Sequence, residues 1–270
     1  MPEETSSLQP PRASASEPGG SLSARLGAGR LIGVGVGPGD PGNLTLRAIN
    51  TLTSADLVIA PCSSPEIEGR AESIIRQALP EITCHRLVFD MSPGETGTEA
   101  RVRGARQAAN DLHRSLSEGR TVAFITLGDP NIFSTFALVA KEVSKLSPKT
   151  EIKTIPGIMA FQEVASLGGI NLLDETEKLF LVTAREGITD VEDALRSTNA
   201  AIVIYKGGRN LVQIVETLEK ANRLKGAVIG EMLGLDGESL EPLDAVTARK
   251  ASYLATVIAP PLRIIEPPVD

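Results

Sequence analysis

The 270 residues predict two α/β lobes in one chain, and three observations lead there. Short runs of Val, Ile, Leu and Ala alternate with stretches of helical spacing along most of the sequence. In the first half, three strand-like runs each end in a Gly/Pro-rich loop. The stretch GGINLLDE (168–175) then breaks the alternation and marks a junction near Leu167–Leu173.

Taken in order, residues 1–29 are rich in Ser, Pro, Gly and Ala without apolar periodicity, which predicts a disordered tail. They lack the apolar segment of a secretory signal; their arginines leave a transit peptide as an alternative. The first lobe, 30–168, opens with the strand Leu31–Val36. A helix over 44–55 follows, capped by Asn43 or Thr45, with Leu44, Ala48, Ile49 and Leu52 on one stripe. Next come a strand at 56–61, a helix at 71–80, a strand at 84–90 and a helix at 98–118. The run TVAFIT (121–126) enters a tight loop, and a helix at 133–146, a strand at 151–157 and a helix at 158–168 complete a parallel sheet. The second lobe, 169–266, repeats the style. Strands fall at 178–184, 200–207, 226–233 and 252–260, an amphipathic helix at 210–222, and a helical or extended stretch around 240–250.

Composition narrows the function. The formal charge is −7, and aromatics are scarce: six Phe, two Tyr and no Trp. An acidic chain repels phosphate backbones, and few rings remain for base stacking, so nucleic acid is excluded as a partner. No apolar run is long enough to cross a membrane. Cys62 and Cys84 make neither a disulfide framework nor a zinc site, which places the chain in the reducing cytoplasm. His85 and His113 have no metal-type partner beyond Cys84, whose side chain points away from His85 on a strand. No metal is expected.

The loops carry the chemistry. In Gly33-Val34-Gly35-Val36-Gly37-Pro38-Gly39-Asp40-Pro41-Gly42 the sixth residue, counting Gly33 or Gly35 as the first, is Pro38 or Asp40, so neither register gives the dinucleotide spacing. The segment reads as a stiff bare backbone that approaches a flat ligand, or as a plain turn. Thr126-Leu127-Gly128-Asp129-Pro130-Asn131-Ile132-Phe133-Ser134-Thr135 lies at a strand's carboxyl end, where open α/β sheets bind ligands. It offers a carboxylate at Asp129 and hydroxyls at Ser134 and Thr135, or simply a turn and a cap. Ile155-Pro156-Gly157-Ile158-Met159-Ala160-Phe161 ends a third strand in the same way.

GVGVGPGDPGNLTLRA, TLGDPNIFST and IPGIMAF, in that order, resemble the tetrapyrrole methylase family over about residues 30–262. The resemblance implies two α/β domains with S-adenosylmethionine in the cleft between them, a tetrapyrrole acceptor and a homodimer. GDPNIFSTF, PGIMAFQEVAS and SYLATVI look most like members that methylate precorrin-2, free or cobalt-loaded, at carbon 20. Another acceptor on the same fold (a diphthine synthase or an RNA ribose methylase) or a non-catalytic nucleotide-binding module are the alternatives. By position, the resemblance assigns cofactor contacts to Pro38, Leu127, Gly128, Asp129 and Ile132, to Met159 and Ala160, and to Tyr205 or Lys206. Ser134 and Thr135 join them as nearby hydroxyls. Gly128 is expected to leave no room for a side chain. Asp129 or Asp40 could accept the proton lost in methyl transfer, Asp129 being the catalytic candidate. Asp40 is also placed on the substrate side, with Arg101 and Arg106 meeting its carboxylates unless they form a solvated helix face.

Overall fold

In the computed structural model, residues 28–89, 97–246 and 251–263 are described. The expected tail, 1–29, lies almost wholly outside them, as do 247–250 of the undecided 240–250 stretch. Five strands form the first sheet: β1 (Arg30–Gly35), β2 (Leu57–Cys62), β3 (Cys84–Val88), β4 (Thr121–Thr126) and β5 (Glu151–Ile155). Their order is β3-β2-β4-β1-β5 and every pairing is parallel. All six residues of β4, and all of β1 after Arg30, are buried, because both faces of this sheet are covered. Leu31, Val122 and Phe124 face α3 (Gly97–Ser117) and α4 (Phe136–Leu146). The intervening Ile32, Val34, Ala123 and Ile125 face α1 (Leu46–Ser54) and α2 (Arg70–Ala78). Thr45 is the cap of α1, accepting from the Ala48 N–H at 3.0 Å.

The second sheet departs from expectation. Its strands are β6 (Lys178–Thr183), β7 (Ala200–Tyr205), β8 (Val228–Glu231), β9 (Ser239–Pro242) and β10 (Thr256–Ala259), in the order β6-β7-β10-β8-β9. Only β6 and β7 run parallel; the remaining pairings are antiparallel, so the sheet is mixed. The undecided stretch resolves into β9 and a 3₁₀ turn over Leu243–Ala245. A helix not expected from the sequence, α6 (Thr189–Leu195), buries only Val191 and Ala194, too short a stripe to stand out. It lies with α7 (Leu211–Lys220) on one face of the sheet. On the other face sits α5 (Ala160–Leu167), whose Phe161, Val164 and Ala165 pack against Val203, Leu233 and Ile258. Arg223, 2% exposed, ties the mixed sheet together by donating to the carbonyls of Ala200 at 2.7 Å and Pro260 at 2.6 Å.

Candidate active site

The connections leaving β1 and β4, which are neighbours, diverge. The chain after β1 passes to β2 through α1 on one face, and the chain after β4 passes to β5 through α4 on the other. Such a switch point opens a crevice at the carboxyl ends of the strands. The three Gly/Pro loops meet there, backbone on backbone. The Gly128 N–H donates to the Gly37 carbonyl at 2.8 Å. A Cβ on Gly35 would strike the Gly128 carbonyl and come within 2.6 Å of the Gly157 nitrogen; one on Gly157 would strike the same carbonyl and lie 2.8 Å from the Gly35 carbonyl carbon. Gly128 itself differs from expectation. Its φ of +63° favours glycine, but a Cβ there would meet no protein atom nearer than 3.9 Å. Crowding belongs to Gly35 and Gly157; the open side belongs to Gly128.

Asp129 staples this cluster. Its two carboxylate oxygens accept from the Asn131 N–H at 2.8 Å and, across to the third loop, from the Gly157 N–H at 3.2 Å. Leu127 packs into the core beneath, and Pro38 is buried beside Gly37. Met159 caps α5, its N–H donating to Gln162 Oε1 at 2.8 Å, and Ala160 begins the helix. Ile132 is 37% exposed at the edge of the second loop. Asp40 caps the 3₁₀ turn Pro41–Asn43, accepting from the Gly42 N–H at 2.6 Å. The G-x-G-x-x-G spacing does occur from Gly37 through Gly39 to Gly42, a third register beside those starting at Gly33 and Gly35. It ends in that 3₁₀ turn, with α1 beginning only at Leu46, so no helix N-terminus stands over it.

A cavity of 640 Å³ opens beside the cluster, walled by the start of α3, the β4–α4 loop, the β6–α6 loop and the end of β7. Of the expected residues it gathers Ser134, Thr135, Lys206 and Arg101. Ser134 Oγ lies 3.1 Å from Thr126 Oγ1 and accepts from the Phe136 N–H at 3.0 Å, so α4 starts at Phe136 rather than 133. Arg106 and Asp40 are not on the wall. Arg106 turns toward α4 and pairs with Glu142 at 3.6 Å, because five residues along a helix point elsewhere than one. Sequence reasoning missed Arg185, Phe133 and Tyr253, which do line the cavity. Glu186 and Asp190 line it too, so three cations face two carboxylates.

Lys206 and Tyr205 join the two halves. Lys206, at φ +59°, donates from Nζ to the Phe133 carbonyl at 3.0 Å. Burial, then the nearby Arg185 and Arg101, lower its pKa to about 8. Tyr205 Oη accepts from the Phe161 N–H at 3.2 Å, and burial pushes its hydroxyl up to about 12. Below them, Gly39 and Gly234 seat the first loop directly on the β8–β9 turn, since a Cβ on either would strike backbone of the other segment. Among the described residues no cluster of His, Cys, Asp and Glu could hold a metal, and no helix is long and apolar enough to cross a membrane.

Comparison with known proteins places this geometry. The family model described as Tetrapyrrole (Corrin/Porphyrin) Methylases matches residues 30–246. A precorrin-2 C(20)-methyltransferase of Sinorhizobium sp is 30% identical over 241 residues, 87% of this chain and 96% of the relative. A cobalt-precorrin-2 C(20)-methyltransferase of Salmonella typhimurium is 28% identical over 214 residues, 78% of this chain and 86% of the relative. Among solved structures, a cobalamin synthesis related protein (CobF) from Corynebacterium diphtheriae superposes with a TM-score of 0.61 at 17% identity, covering 87% of this chain and all of the other, a likeness of fold.

Proposed function

Because the chain belongs to the tetrapyrrole (corrin/porphyrin) methylases, enzymes that take their methyl group from S-adenosylmethionine, we propose that its acceptor is precorrin-2 or cobalt-precorrin-2, methylated at carbon 20. The observation that carries the choice of carbon is the likeness to the Sinorhizobium enzyme over 96% of that enzyme's length.

S-adenosylmethionine supplies an electrophilic methyl on a sulfonium. A sulfonium loses its charge in transfer, so the protein gains most by orienting the donor with neutral backbone. The loop cluster is built for such orientation, with bare backbone at Gly35, Gly128 and Gly157, an open side at Gly128, and a carboxylate at Asp129 already engaged by two N–H groups. On this reading Pro38, Leu127, Gly128, Ile132, Met159 and Ala160 hold the donor, with Tyr205 closing the far side. In the transfer, the carbon–sulfur bond breaks toward sulfur, a carbon–carbon bond forms at the methine, and the methine proton leaves. Asp129 is the carboxylate proposed to steer that proton, secondary to its clamping role. The acceptor's carboxylates go to Arg101, Arg185 and Lys206, and proximity in the adjoining cavity brings the methine to the donor.

The lobes are proposed to divide at 168/169, and the working form to be a homodimer, which light scattering tests against one chain's 28.4 kDa. Incubation with each acceptor and the methyl donor, followed by mass spectrometry and location of the new methyl, tests the function. Transfer to carbon 20 supports it; a methyl at another carbon, or none, removes it.

A further inference from the structure

In this chain aromatic rings are few, and where they are left exposed is informative. Phe89, Phe124, Phe136 and Phe161 are buried, and Phe180 packs against the core of the second sheet. Phe133 stands apart at 46% exposed, and Tyr253 at 52%. Both line the 640 Å³ cavity, one from each half of the molecule. An apolar ring left in water forgoes the stabilisation of burial. Phe133 is unfavourable in a second way, since its φ of +48° is an outlier for a bulky residue.

The surroundings hold it there. Lys206 donates to its carbonyl at 3.0 Å and lies 5.9 Å from its ring centroid, while the Tyr205 ring meets it edge-on at 5.9 Å. The Tyr253 segment is fixed as well, because the Glu231 carboxylate accepts from the Ser252 N–H at 2.6 Å. A loop selected only for turning would place a glycine or asparagine at position 133.

We propose that Phe133 and Tyr253 are specificity-determining residues that seat the flat conjugated face of the acceptor, while the cations of the same cavity take the carboxylates at its rim. This rests on the tetrapyrrole reading and adds what selects a planar ring over an equally charged flexible acid.

The test is fluorescence-monitored binding of uroporphyrin, a stable planar polycarboxylate, with S-adenosylmethionine binding and melting measured on the same samples. Phe133→Leu keeps the bulk and loses the ring face. Affinity for the porphyrin is expected to fall about tenfold, as loss of one stacked ring implies, with methyl-donor affinity unchanged. Phe133→Tyr restores it, and Tyr253→Ala weakens it in the same sense. Equal porphyrin affinity in Phe133→Leu and the unaltered protein overturns the proposal while leaving the functional reading intact. No porphyrin binding by the unaltered protein overturns that reading and the proposal with it.

Discussion

The two halves of the molecule build their parts of the site from different materials. The half with the parallel sheet contributes mostly main chain, glycines packed against each other and a carboxylate used to staple loops, with Arg101 and Phe133 among its side chains on the cavity wall. The mixed sheet contributes Arg185, Lys206 and Tyr253, long side chains set at or near strand ends around a cavity. A donor that is the same in every member of the family suits fixed backbone. An acceptor that differs between members suits side chains, which can be exchanged without disturbing the fold.

The largest expected effect tests the backbone half. Gly157→Ala puts a Cβ against the Gly128 carbonyl and within 2.8 Å of the Gly35 carbonyl carbon. Overpacking of this kind should cost about 3 kcal/mol in thermal or chemical denaturation. A variant as stable as the parent would mean the loops are loosely held.

Asp129→Asn comes next. Both oxygens accept from N–H groups, at 2.8 and 3.2 Å, and an amide presents its own N–H₂ to one of them. The expected loss is about 1–3 kcal/mol of stability, with donor affinity falling alongside. Full stability with turnover lost would instead single out proton transfer.

Lys206 offers a pH test of the side-chain half. Its folded pKa, about 8, lies below the ordinary 10.5, so between those values the unfolded chain holds a proton that the folded one has released. Stability from this group therefore grows as pH rises across that window and is lost as pH falls through about 8. Lys206→Met should flatten that dependence in pH-resolved melting. Affinity for a polycarboxylate should fall over the same window in the parent and not in the variant, because one of three cations is neutralised.

The smallest effect is at Arg106, 66% exposed and paired with Glu142 at 3.6 Å. Arg106→Ala should change stability by no more than about 0.5 kcal/mol and leave acceptor affinity unchanged. A clear loss of acceptor affinity would redraw the cavity's boundary.

The same division explains what the sequence made legible. In the first half, strands such as Thr121–Thr126, apolar between their two threonines, are buried throughout and the loops are spelled in Gly and Pro, so local chemistry points straight at the site. Even there, the sequence marks Gly128 without distinguishing its positive φ from the close packing at Gly35 and Gly157, which depends on contacts between loops distant in the chain. In the second half, the four buried residues of β10 read the same in either strand direction, so antiparallel pairing was invisible. Arg185 follows a strand in no motif, and Arg106 resembles Arg101 until the helix is packed. Buried Arg223 reads as an ordinary surface charge because its partners are carbonyls up to 37 residues away.

Crossed calorimetric titrations test the division most directly. Gly128→Val and Arg185→Ala, each shown to be folded, are titrated separately with S-adenosylmethionine and with precorrin-2. A β-branched residue cannot readily adopt the φ of +63° found at 128, so Gly128→Val should weaken the methyl donor about thirtyfold and the tetrapyrrole little. Arg185→Ala should do the reverse, weakening the tetrapyrrole about tenfold and the donor little. If each variant weakens both ligands alike, or Arg185→Ala weakens the donor instead, the assignment of backbone to donor and side chains to acceptor is wrong.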